Sequence, residues 1–336
     1  MVSVVVVTRA ALLIARRATT WTIEEHLRGE SSECVAVDSR RAARLYCGTA
    51  RGLFRSDDGG RHWKPAGRGI DYPAITAVAV SHLDRADGFG IVYVGTEPSA
   101  VFRSETGGDS WVDLAGLRAL PSAVTWSFPP RPHTHHVRWI EADVSAADRV
   151  FVAIEAGALV RTFDHGRTWS DRVSGGPYDT HTAATHALAP GRIYSAAGDG
   201  YFESTDAGDT WRSPEDGLQH LYLVAVAVDP ADPDTVVVSA TDGPFVAYRP
   251  ESAEAYVYRR TGGKGWAQAM SGLPPAGGTT ASRFATHASE RGVIYAANNR
   301  GLFRSEDAGR NWKVLDIPWP EAALAAGVAA VACLPE

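Results

Sequence analysis

Six times along the chain a short apolar strand runs into a turn that ends on tryptophan, and the best copies read Ser/Thr-x-Asp-x-Gly-x-x-Trp. The intact copies are Ser56, Asp58, Gly60, Trp63; Thr162, Asp164, Gly166, Trp169; Ser204, Asp206, Gly208, Trp211; and Ser305, Asp307, Gly309, Trp312. Two degenerate copies keep Thr106, Gly108, Trp111 and Thr261, Gly263, Trp266. The Asp side chain can accept hydrogen bonds from turn N–H groups, and Gly can take positive φ. The Trp begins the following strand and offers a large apolar face for packing between sheets. Alternating runs such as Gly52-Leu53-Phe54-Arg55 and Gly301-Leu302-Phe303-Arg304 precede the boxes, so each box reads as a hairpin turn. Repeats at intervals of roughly 40 to 60 residues argue for one closed array rather than two ordinary domains.

On these residues the chain resembles the Asp-box (BNR) repeat family, which includes sialidases, xyloglucan-cleaving glycosidases, sortilin-type receptors and photosystem assembly factors. The resemblance covers nearly the whole chain and implies an all-β propeller in which the boxes themselves do no chemistry. The family's sialidases carry an Arg-Ile-Pro motif near the N-terminus. Here the nearest match, Arg192-Ile193-Tyr194, reads as a strand, so a true sialidase is not expected. Xyloglucan-cleaving members pair two propellers around a cleft, whereas this chain is long enough for one.

A propeller blade is a four-stranded antiparallel sheet, strand A innermost and D outermost, with the box in the C to D turn. Blade two then has A at Glu33 to Asp38, B at Arg44 to Gly48, C at Leu53 to Ser56 and D from Trp63. Blades two to seven occupy 33–317. Residues 2–27 supply B (from Val2), C and D of another blade, and 322–334, with its run Ala325 to Leu334, supplies the missing A. The expectation is one domain, 1–336, forming a seven-bladed propeller closed by pairing the C-terminal strand with the N-terminal strands. Six blades with a separate N-terminal hairpin is the alternative.

A net charge of -6 with no basic run gives no electrostatic footprint for nucleic acid. Arginine is the main cation, the lysines being Lys64, Lys264 and Lys313, which suits planar recognition of anions if arginines converge. The cysteines Cys34, Cys47 and Cys333 are odd in number and unclustered, as for free thiols in a reducing cytoplasm. The apolar start has no basic residue before it, and no stretch approaches the ~18 apolar residues of a membrane helix. A cytoplasmic protein without membrane partners is expected.

The register sorts loops by pole. Two insertions, Asp113 to His136 and Gly243 to Tyr256, fall on the end opposite the boxes, where long loops on a rigid scaffold carry function. The same end gathers His136, Arg138 and Trp139 from blade four, Tyr178, Asp179 and His181 from blade five, His220 and Tyr222 from blade six and Arg283 from blade seven. Loops between B and C add Arg9, Glu155, Asp199 and Asn298. His186 and His287 align with Asp38, Asp143 and Asp229 as turn-stabilising groups at the far end, while His62 and His165 read as surface residues of box turns.

Three chemistries stay open for this pole. A hydrolase- or lyase-like enzyme would act on a small anionic or sugar-containing substrate. Its acid, base or ligand candidates are His136, His181, Glu155, Asp179 and Tyr222, with Arg138, Arg283, Arg9, His220, Trp139, Asp199 and Asn298 binding substrate. A metal enzyme would hold one divalent metal through His136, His181 and His220. A non-catalytic propeller would bind protein or carbohydrate on a broad aromatic surface.

Overall fold

The computed structural model describes residues 3–86, 88–320 and 322–334. They form seven antiparallel sheets arranged as the blades of a propeller. Helix is confined to four short 3-10 turns among the described residues: Ala115–Ala119, Pro121–Thr125, Pro244–Val246 and Leu324–Ala326. Among the described residues no helix is long and apolar enough to cross a membrane.

Blade one joins the two ends of the chain in the order Val328–Leu334, Ser3–Thr8, Leu12–Arg17, Trp21–His26. Val4 faces Cys333 and Val6 faces Val331, so the six-bladed alternative with a free hairpin does not form. Val4 to Val7 are fully buried, and pairing gives their N–H and C=O groups partners that an open edge would leave for another chain. The closing strand begins at Val328 rather than Ala325, because Leu324–Ala326 is a 3-10 turn and Gly327, at φ 83°, redirects the chain. Val2 lies outside the described residues.

Blade two comprises Ser32–Val37, Leu45–Thr49, Gly52–Ser56 and Lys64–Pro65; blade three comprises Ala74–Ala86, Phe89–Glu97, Val101–Ser104 and Val112–Asp113. Blades four (Val137–Ala142, Val150–Ile154, Ala158–Thr162) and five (Thr180–Thr185, Ile193–Ala197, Gly200–Ser204) have three full strands. A single bridge, Arg161 to Ser170 or Glu203 to Arg212, marks the outer strand of each. Blade six is Tyr222–Asp229, Asp232–Thr241, Tyr256–Thr261, Ala267–Gln268, and blade seven is Arg283–Ala285, Ile294–Asn298, Gly301–Ser305, Lys313–Val314.

The boxes are closed hydrogen-bond units. In blade two Ser56 Oγ donates to Asp58 (2.8 Å) and accepts from Gly60 N (2.8 Å), while Asp58 accepts from His62 N (2.9 Å). Trp63 Nε1 donates back to Gly60 O at 2.9 Å, and Gly60 sits at φ 91°. The degenerate copy in blade three is a box with threonine in place of aspartate: Ser104 Oγ takes Gly108 N and Thr106 Oγ1 takes Ser110 N, both at 2.8 Å.

Arginines of the third strands tie the boxes of neighbouring blades. Arg16 donates to Gly59 O, Arg55 to Gly107 O and Asp109, Arg161 to Gly208 O and Asp209, and Arg259 to Ala308 O. These four arginines therefore act as struts at the box pole rather than as anion binders. His165 joins this framework: its ring is half-buried and pairs with Asp84 of blade three at 2.9 Å, so it is not the surface residue expected. His62, by contrast, is exposed. At the same pole His186 Nε2 donates to Asp229 O (3.0 Å) and His287 bonds Ser289, as turn-stabilising groups.

Candidate functional site at the axial mouth

Five innermost strands share one irregularity near their first residues. The register with the second strand slips between Ser32 and Cys34, Ile75 and Ala77, Val137 and Trp139, Thr180 and Thr182, and Leu223 and Ala225. The extra residues are Glu33, Thr76, Arg138, His181 and Val224. A bulge leaves one residue unpaired and re-aims its side chain. It also frees backbone carbonyls, which the preceding blade satisfies: Thr76 Oγ1 donates to Val137 O (2.7 Å), His181 Nδ1 to Leu223 O (2.6 Å) and, from the other side, Arg283 Nη1 to Val224 O (3.0 Å). The repeated bulge thus turns equivalent positions of successive blades toward the mouth of the central channel.

Glu155 follows the second strand of blade four and stands at the centre of the group. Its Oε2 receives His136 Nε2 at 2.7 Å and lies 3.3 Å from Arg138 Nε. Its Oε1 is 3.9 Å from His181 Nε2, which is also 3.6 Å from Asp179 Oδ2 and 3.3 Å from the Tyr222 hydroxyl. Asp179 is held by its neighbours: Oδ1 accepts Ala156 N (2.7 Å), and its own N–H and that of Tyr178 donate to Asp199 at 3.1 Å. Tyr222 continues to Tyr248 of the second insertion through a 3.2 Å hydroxyl contact.

Charge follows from this packing. Burial alone would raise the Glu155 carboxyl, but Arg138 and the His136 hydrogen bond outweigh it and hold the group well below the usual carboxylate range. Burial, helped by repulsion from Glu155 and Asp199, raises Asp179. His181 is completely buried, which lowers its pKa and favours the neutral ring. Because Leu223 O can only accept, the proton of that ring sits on Nδ1 and the Nε2 lone pair faces the carboxylates. Burial pushes Tyr222 well above the ordinary phenol range and, with Arg138 nearby, brings Arg283 down to about 10.

Arg138 has unspent capacity. Burial is outweighed by Glu155, so its pKa is raised, and 21% of its side chain stays open. Its buried Nε lies 3.3 Å from Glu155 Oε2 and makes no hydrogen bond among the described residues, so any ligand would meet the open end of the guanidinium. A planar guanidinium with free donors at an open mouth is suited to an anionic or hydroxyl oxygen.

Of the residues expected here, His136, Arg138, Glu155, Asp179, His181 and Tyr222 come together, with Asp199 behind Asp179 and Arg283 behind Val224. The others do not join. His220 stacks on Tyr256 (4.0 Å between rings) and bonds the Tyr258 hydroxyl at 2.6 Å, so the metal trio His136, His181, His220 is not assembled. The residues placed to share an ion are instead Glu155, Asp179 and His181. Trp139 packs with Phe151, Leu159 and Ala183 between blades four and five, because it follows the bulge and points the opposite way from Arg138. Asn298 is buried in its turn, bonded to Ser282 Oγ and Arg300 N. Arg9 is exposed in the first hairpin turn. Two groups were missed in the sequence: Tyr248, which only its place in an insertion marks, and Glu141, a buried carboxyl further along the blade-four strand that accepts Thr185 N and Oγ1 at 2.9 Å.

No protein-family model matches the chain, and no curated protein matches it. Solved propeller structures do. An ancestral GH74 enzyme is 15% identical with a TM-score of 0.66, covering 87% of this chain and 39% of that one. YCF48 bound to D1 peptide is 16% identical (TM-score 0.58; 90% and 83% covered), and the WD40 propeller domain of Doa1 14% identical (0.59; 90% and 88%). The chain spans about two fifths of the GH74 enzyme's length. At these identities the likeness is one of fold, shared by glycoside hydrolases and by binding propellers.

Proposed function

We propose that the axial mouth is a hydrolase- or lyase-type centre acting on a small anionic or sugar-containing substrate. One observation carries this reading: His181 Nε2 and oxygens of Glu155 and Asp179 converge beside the Arg138 guanidinium, whose side chain stays 21% open. Acceptors converging on one point polarise a water or a substrate hydroxyl, and Arg138 fixes the oxygen next to it. The ionised Glu155 keeps Arg138 and His136 in place, and Asp199 does the same for Asp179. The GH74 likeness is compatible with this chemistry on a propeller, although that enzyme is more than twice as long.

A binding propeller is the second reading, favoured by large apolar side chains left open on the loops of the same pole: Val124 (91% exposed), Phe245 (87%), Tyr178 and Leu221. YCF48, solved with a peptide, is a propeller of that kind. A turnover screen of aryl glycosides and uronate-containing oligosaccharides separates the two. The enzyme reading expects activity that falls at least a hundredfold in His181→Gln, with near-UV circular dichroism unchanged, and weaker saturation in Arg138→Met. Absence of turnover across the panel, together with micromolar binding of a peptide or glycan that Phe245→Ser abolishes, would overturn it.

A further inference from the structure

Three acceptor atoms at the mouth face one another, and the nearby guanidinium of Arg138 sits on the outer oxygen of Glu155 rather than between them. Each of the three residues has one atom tied back to the protein and one turned inward. His181 donates Nδ1–H to Leu223 O, leaving Nε2 inward. Asp179 Oδ1 is taken by Ala156 N, leaving Oδ2. Glu155 Oε2 is taken by His136 and Arg138, leaving Oε1. This is how metal-ligating side chains are oriented: a backing partner on the far atom fixes the tautomer or rotamer and aims the near one. His181 supplies the observation independent of the acidic pair: its side chain is completely buried, and its unprotonated Nε2 faces two carboxylates with only a long 3.3 Å contact from the Tyr222 hydroxyl, which a cation would displace.

The geometry points to a divalent transition-metal cation, of the zinc or manganese class, held by His181 Nε2, Asp179 Oδ2 and Glu155 Oε1. The donors lie within 4.8 Å of one another, with His181 Nε2 3.6 Å from Asp179 Oδ2 and 3.9 Å from Glu155 Oε1. Metal–ligand bonds of about 2.0–2.2 Å place tetrahedral donors roughly 3.3–3.6 Å apart, so small side-chain rotations close the site. One imidazole with two carboxylates suits zinc or manganese; calcium and magnesium take oxygen alone, and no sulfur is present to favour copper(I). Among the described residues three protein ligands are supplied, which leaves a position for water or a substrate oxygen beside Arg138, the arrangement of metals that work as Lewis acids.

Cation binding itself does not depend on the function proposed above; its catalytic use rests on that reading. The test is isothermal titration of the chelator-treated full chain with ZnCl2 and, separately, MnCl2. One equivalent should bind, and Asp179→Asn should weaken it at least tenfold, because the amide keeps an oxygen for Ala156 N but turns an NH2 toward His181. Glu155→Gln should do likewise, whereas His62→Ala, which removes the exposed box histidine, should leave the affinity unchanged. Failure of the wild type to bind one equivalent below millimolar free metal would overturn the inference, as would Asp179→Asn binding as tightly as wild type. Metal bound without turnover of any substrate would support the site and count against the enzyme reading. Turnover that survives chelation would support the enzyme and remove the metal from it.

Discussion

Replacing Glu155 by glutamine keeps the shape of the side chain and removes only its charge. In the folded protein that charge is 2.7 Å from His136 Nε2 and 3.3 Å from Arg138 Nε, with 14% of the side chain open. Breaking a fully buried ion pair costs about 3–5 kcal/mol, because the surviving charge is stranded. Arg138 keeps a fifth of its side chain open and the amide oxygen still accepts one hydrogen bond, so the expected loss is about 2–3 kcal/mol. Urea unfolding at pH 7 measures it. Arg138→Met should cost less alone, and the double variant should fall short of the sum by about 1 kcal/mol or more, the signature of a direct pair. A carboxyl held below its unfolded value stabilises the fold above about pH 4.3 and loses that contribution as the pH falls through the folded value. The gap between wild type and Glu155→Gln should therefore be constant from pH 8 to about 5.5 and close in stronger acid. A loss below about 0.5 kcal/mol would mean that Glu155 is an ordinary solvated loop carboxylate, and the clamp would be wrong.

Glu141 works with the opposite sign. Burial pushes its carboxyl up to about 7, so the wild type holds a proton that the unfolded chain releases, and stability declines as pH rises from about 4.3 to 7. Glu141→Gln, whose oxygen can keep both Thr185 contacts, should flatten that decline and gain roughly 2–4 kcal/mol over wild type at pH 8; an unchanged slope in pH-dependent unfolding would refute it. Deleting 322–334 bares the Ser3–Thr8 edge and should give aggregated protein, whereas a soluble monomer with a cooperative melt would contradict closure through blade one. Gly309→Ala puts a methyl 2.5 Å from Val237 Cγ2 at φ 84° and should lower stability by about 1–3 kcal/mol, with Ala308→Gly, at φ 56°, neutral or stabilising by denaturant titration.

The box repeat made the blades legible because its spacing fixes a hairpin turn, and the turn fixes which strand is which. Complementary ends made blade one legible as well: 2–27 lacked one inner strand and the C-terminal run could supply it. The bulges left no comparable mark, since one extra residue near the start of a strand changes no hydrophobic period that a reader could count. The blade register alone places Arg138, His181 and Trp139 together at the mouth, whereas the bulge sends Trp139, one residue beyond it, into the packing between blades. His220 shows a second limit: an aromatic partner across the blade, Tyr256, captures the ring before it can reach the axis. Glu141 was invisible for a third reason, because its partner Thr185 comes from the neighbouring blade and nothing local in either strand announces the pair.

The proposed chemistry turns on His181 presenting an unprotonated Nε2, touched by the Tyr222 hydroxyl at 3.3 Å, to the mouth from a neutral, buried ring. Nitrogen NMR of histidine-labelled, metal-free protein tests that directly, with His181→Gln assigning the resonance. The expected spectrum at pH 8 has a protonated Nδ1 and an unprotonated Nε2, and imidazolium forms only below the ordinary histidine range, reflecting the Leu223 hydrogen bond and the depressed pKa. A ring protonated on Nε2, or an imidazolium already formed at pH 7, would contradict both the proposed chemistry and the metal site.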